Sequence, residues 1–187
     1  VFGRGRVTRI SEFYYEQKLL SGDLNIKLGR MNVGAEFGAF QCEFAYLGFC
    51  GSQFGNVNST VYNWPISQWA GVVKYQLAPE WYVKTGVYQM NPSWLKNSQN
   101  LNLGSPHGTL GVTIPVELAW MPNLNDLPGT YKLGYWHDTV GGDDLYYNQD
   151  GNPLIIDGGK ARHHDSKDGA YFVAEQQVTA VDGDSSR

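Results

Sequence analysis

Apolar and polar side chains alternate in steps of two over segments of about ten residues, the period of a strand with two unlike faces. Val112, Ile114, Val116, Leu118 and Trp120 fall on one side, and Thr113, Pro115, Glu117 and Ala119 on the other. Tyr131, Leu133 and Tyr135 alternate with Lys132, Gly134 and Trp136. Trp69, Gly71, Val73, Tyr75 and Leu77 oppose Gln68, Ala70, Val72, Lys74 and Gln76. Trp81, Val83, Thr85 and Val87 oppose Tyr82, Lys84, Gly86 and Tyr88, and Leu24, Ile26 and Leu28 oppose Asn25, Lys27 and Gly29. Less regular strands are expected from Arg6 to Gln17 and from Gly169 to Val178. The pattern predicts about seven strands and no helix of length.

The connections differ in kind. Short turns are expected at Ser21-Gly22-Asp23, at Ala78-Pro79-Glu80 and from Asn123 to Gly129. Long irregular stretches are expected at Val33 to Ser67, Asn91 to His107 and Asp138 to Asp168. Tight turns at one end and long loops at the other mark an all-β, antiparallel up-and-down barrel of the outer-membrane type. A soluble antiparallel sheet with one wet face alternates in the same way, and the loop asymmetry favours the barrel. Trp69, Trp81, Trp120 and Tyr131 stand near strand ends, where an amphipathic ring suits a membrane interface.

Composition narrows the function. Charged residues make up 17% of the chain, below the roughly 25% of an average soluble domain. Aromatics reach 14%, while the mean hydropathy is only -0.37. A net charge of -4 offers no basic field for nucleic acid. No window approaches the ~18 consecutive apolar residues of a spanning helix. Cys42 and Cys50 fit neither a redox C-x-x-C pair nor a four-ligand zinc site. They read as a loop disulfide of an oxidising compartment, with two buried thiols as the alternative.

Several segments resemble a known family. Gly29-Arg30-Met31-Asn32-Val33-Gly34-Ala35-Glu36-Phe37 is followed by Cys42 and by Ala45-Tyr46-Leu47-Gly48-Phe49-Cys50-Gly51-Ser52. Gln68-Trp69-Ala70-Gly71 and Tyr82-Val83-Lys84-Thr85-Gly86-Val87-Tyr88-Gln89-Met90-Asn91-Pro92 come next. From about Gly5 to Val178 the chain resembles the OprB family of carbohydrate-selective porins of Gram-negative outer membranes. The resemblance implies a barrel of about 16 strands passing glucose and related sugars by passive, selective diffusion. About seven strands would not close such a barrel around water, so residues 1–187 are expected to be one partial barrel domain, incomplete at both ends. Mono- and oligosaccharides would be the solutes, with outer-membrane lipid and lipopolysaccharide as surroundings and a homotrimer as the assembly open to it. A general diffusion porin and a soluble carbohydrate-binding β-protein are the alternatives.

A sugar channel needs hydrogen-bonding groups, aromatic faces and a constriction. The resemblance points to Arg30, Glu36 and Glu43 near a constriction. Strict alternation puts Arg30 on the apolar face, so either a bulge at Gly29 re-aims it or it sits at the rim, snorkelling to solvent or lipopolysaccharide. Lys74, Lys84, Glu117 and Lys132 are expected on the lumen side, with Tyr82, Tyr88 and Trp136 as stacking surfaces or wall packing. Asn148, Asp150, Gly151 and Asp157 fail the calcium-loop pattern and read as a turn at Asp150-Gly151. His163-His164-Asp165 reads as solvated loop rather than a metal site. No catalytic triad, paired carboxylates or cofactor motif stands out, and a channel rather than an enzyme is expected.

Overall fold

In a computed structural model, residues 7–40, 62 and 64–180 are described. Cys42, Cys50 and Glu43 lie outside them. Seven strands follow one another in a single antiparallel path: β1 (Phe13–Leu19), β2 (Leu24–Met31), β3 (Gln68–Ala78), β4 (Trp81–Met90), β5 (Gly111–Trp120), β7 (Leu127–Asp138) and β10 (Lys167–Gln176). The two-residue β6 (Asn123–Leu124) pairs only with the start of β7. Its turn places Asn125 and Asp126 at φ 54° and 63°, the left-handed pair that matches the twist of a tight hairpin. The sheet is curled into a half-barrel.

Cross-strand register fixes the two faces. Leu28, Val73, Val87, Val116, Leu118, Leu133 and Phe172 share one face and are exposed. That face meets water at a large cost and lipid at none. At its short-turn end Trp81 stacks on Trp120 at 5.8 Å and Trp120 on Tyr131 at 5.3 Å. Lys27, Val72, Lys74, Lys84, Glu117, Lys132 and Tyr171 share the other, inner face. The segment 33–40 folds over this inner face from the end of β2. It opens with α1 (Val33–Glu36), capped by Asn32 Oδ1, which accepts from the N–H groups of Gly34 (2.9 Å) and Ala35 (3.2 Å). Phe37 is fully buried against Tyr88, edge to face at 6.0 Å, and its burial stabilises the segment by about 1.5–3 kcal/mol.

Two glycines make room for aromatics on the inner face. Gly134 pairs directly with Tyr171, and Gly169 with Trp136. A Cβ on Gly134 would lie 2.0 Å from Tyr171 Cζ, and one on Gly169 2.4 Å from Trp136 Cζ2. Each bare backbone is therefore the seat of the ring opposite. Gly134→Val is expected to displace Tyr171 and cost on the order of 1–3 kcal/mol. The temperature at which the folded barrel loses its compact gel mobility in detergent checks this; an unchanged temperature refutes it.

Three expectations need correction. The first strand starts at Phe13 rather than near Arg6, because residues before it leave the sheet: Ile10 N donates to Asn100 O (2.9 Å), and Ser67 Oγ to Ile10 O (3.0 Å). The connection after β7 is not irregular throughout. It holds a hairpin of β8 (Gly142–Asn148) and β9 (Ala161–His164), with the single helical turn α2 (Leu154–Asp157) between them. His163 and His164 lie on β9 and pair with Asp143 (2.9 Å) and Asp144 (3.1 Å) across the hairpin. Backbone N–H groups of Tyr147 and Tyr146, and then His164, pull the Asp144 carboxyl down to about 2. The turn expected at Asp150-Gly151 is present, with Asn148 Oδ1 accepting from Asp150 N (3.1 Å) and Asn152 N (2.9 Å).

The third correction concerns Arg30. Register runs through Gly29 without a shift on both sides of β2, so no bulge re-aims the arginine. Gly29 has φ 151°, and a Cβ there would lie 2.3 Å from Phe13 O. Arg30 stays on the outer face, paired with Phe13 and Trp69. It is not a snorkelling rim residue, because the β4–β5 connection (91–110) folds over it and leaves it 0% exposed. Its guanidinium lies 4.1 Å from the Trp94 ring centre and donates to Asn102 O (2.6 Å) and Ser67 O (3.3 Å). Arg30 thus holds an outer loop to the wall and does not line the inner face.

Candidate functional site

The inner face carries its polar groups in one connected patch across β2 to β10. Alternation alone brings them there: Lys27, Lys74, Lys84, Glu117 and Lys132 each sit at an inward position of a different strand. Glu117, 1% exposed, is the centre. Its carboxylate pairs with Lys84 Nζ (3.3 Å) and accepts from Tyr82 OH (3.0 Å), Tyr171 OH (2.8 Å) and Gly38 N (2.9 Å). Four donors around one buried carboxylate offset the desolvation that an isolated charge would suffer.

The same patch fastens segment 33–40. Lys84 Nζ donates to Glu36 O, Lys132 Nζ donates to Ala39 O (2.5 Å), and Gly38 N reaches Glu117. The Lys84 ammonium also lies 4.8 Å from the Phe37 ring centre. Three strands therefore grip three backbone groups, at Glu36, Gly38 and Ala39, just where the helical turn α1 ends. A polypeptide laid across the inner wall in this way narrows whatever passes along it.

Beside the segment lies a recess of about 220 Å³. Asn25, Lys27, Glu36, Lys74, Tyr82 and Lys84 line it. Lys27 and Glu36 form an ion pair at 2.6 Å. Lys74 makes neither an ion pair nor a hydrogen bond among the described residues; its ammonium rests 4.2 Å from the Tyr82 ring centre. The recess is thus polar and offers both donors and acceptors to a small solute.

Of the residues singled out from the sequence, Glu36, Lys74, Tyr82 and Lys84 meet at this recess. Glu117 and Lys132 stand beside it as anchors of the segment. Tyr88 and Trp136 point inward but are 0% and 4% exposed, so neither offers a stacking surface. Phe37 and its neighbours cover them. Lys27, Asn25 and Tyr171 belong to the patch and were not singled out. The inward phase of Lys27 and Asn25 is plain from their alternation with Ile26 and Leu28.

The family model for the carbohydrate-selective porins of the OprB family matches residues 1–187. The chain belongs to the OprB family. Porin B of Pseudomonas aeruginosa is 45% identical to it over 190 residues, covering all of this chain and 42% of that protein. A solved structure of Pseudomonas putida OprB, determined at high pH, superimposes with a TM-score of 0.88 at 44% identity. That match covers 96% of this chain and 43% of the other. This OprB chain therefore spans less than half the length of the relatives it matches. Its curled sheet is part of the wall of a β-barrel porin of the Gram-negative outer membrane. OprB proteins are channels rather than enzymes.

Proposed function

We propose that this wall lines a passive channel for glucose and related sugars, narrowed by segment 33–40. The observation that carries the reading is the triple fastening of that segment over a polar recess. Lys27, Glu36, Asn25 and Lys74 supply donors and acceptors that exchange with sugar hydroxyls. Lys84, Glu117 and Lys132 hold the constriction in place. Contacts of this kind, each worth about 0.5–1.5 kcal/mol net, are strong enough to select and weak enough to release. Membership of a carbohydrate-selective family and the likeness to Porin B support the same conclusion.

The test is single-channel recording of the porin purified from its native outer membrane. Glucose and maltose are expected to reduce ion current in a saturable way. Conductance that ignores both sugars would replace this reading with a general diffusion pore.

A further inference from the structure

A neutral hexose has no use for an ammonium that no oxygen ties down, yet among the described residues the recess contains one. Four lysines face one another on the inner wall: Lys27, Lys74, Lys84 and Lys132; on Lys74 the carboxylates of Glu117 and Glu36 act first, and the ammonium groups of Lys27 and Lys132 after them. Three carboxylates answer them. Glu36 binds Lys27 at 2.6 Å and Glu117 binds Lys84 at 3.3 Å. Glu16, across from Lys27 on the edge strand, accepts from Asn25 at 2.5 Å. Lys132 is spent on the backbone oxygen of Ala39. Lys74 alone of the four touches no oxygen among the described residues; the π face of Tyr82 cushions it at 4.2 Å, and Glu117 and Glu36 act on it only across space. The Tyr82 hydroxyl is turned away to Glu117, so the ring serves Lys74 as a cushion and not as a competitor.

We propose that Lys74 is a specificity-determining residue that makes the recess a subsite for polyhydroxylated carboxylates, the sugar acids, in preference to the neutral sugars of the same carbon skeleton. The inference rests on the sugar-channel reading and adds a charge preference to it. The carboxylate of the solute takes the open ammonium of Lys74. Its hydroxyls take Asn25, the outer oxygens of Glu36 and the Lys27 ammonium around the same 220 Å³ recess. A charge-assisted hydrogen bond is roughly twice as strong as a neutral one, which gives the acid its advantage over the aldehyde sugar. The surplus cation also raises the local concentration of anions before contact.

The experiment compares gluconate with glucose, which differ in the oxidation of one carbon. Both are titrated against the single-channel current of the purified porin at about 0.1 M salt, where charge is felt over ~10 Å. Gluconate is expected to block at about tenfold lower concentration than glucose. In Lys74→Gln that ratio falls to about one, and Lys74→Arg restores most of it. Equal block by the two solutes in the unaltered porin overturns the proposal while leaving the sugar channel standing. So does a tenfold preference that survives in Lys74→Gln. Absence of block by either solute overturns the channel reading and this inference together.

Discussion

Glu117→Ala is expected to release segment 33–40 from the wall, raising conductance and abolishing sugar block. The substitution removes the acceptor for Gly38 N, Tyr82 OH and Tyr171 OH at once, and strips Lys84 of the carboxylate it pairs with at 3.3 Å. Leaving one partner of a buried ion pair unmatched costs about 3–5 kcal/mol. The stability loss is read as a lowered temperature of gel-mobility change in detergent, and the constriction is read by single-channel recording. A double variant, Glu117→Leu with Lys84→Met, separates the two effects. It removes both charges, so most of the stability returns. The Gly38 anchor stays lost and the Lys84 bond to the Glu36 carbonyl goes as well, so the wide, sugar-insensitive conductance persists. A double variant with restored sugar block would show that Glu117 does not position the segment.

Strand period made the wall legible, because each inward or outward assignment is local. Glu117 between Val116 and Leu118, or Lys132 between Tyr131 and Leu133, declares its face from its two neighbours. What covers a face is not local. Tyr88 and Trp136 have the correct phase for a lumen, but Phe37, far away in the chain, closes over Tyr88, and Trp136 is buried in the same cluster. Arg30 has the correct phase for lipid, but Trp94 and Asn102 arrive from the β4–β5 connection to bury it. The β8–β9 hairpin was hidden for a related reason. Its pairing is interrupted between Asp143 and Asn148, so no alternating run announces it.

Leu133→Arg is expected to carry the second large effect. Leu133 lies midway along β7 on the outer face, 61% exposed, between Leu118 and Phe172 on the adjacent strands. An arginine near the bilayer midplane costs about 2–4 kcal/mol in a transmembrane barrel. Denaturant titration of the porin refolded into vesicles is expected to show that loss. The neighbouring Lys132→Gln, one residue along and on the inner face, avoids it because it adds no charge to lipid. Equal losses in the two variants would contradict the assignment of faces.

The stack of Trp81, Trp120 and Tyr131 has a geometric corollary. The three residues are direct partners along the hydrogen-bonding direction, one on each of three adjacent strands. Strands are spaced about 4.8 Å apart, and barrel strands tilt by about 40° from the membrane normal. Two steps across the stack therefore change depth by roughly 6 Å. The rings form a short staircase through the headgroup layer, so a quencher fixed at one depth should darken Trp81 and Trp120 unequally even though the two are in contact.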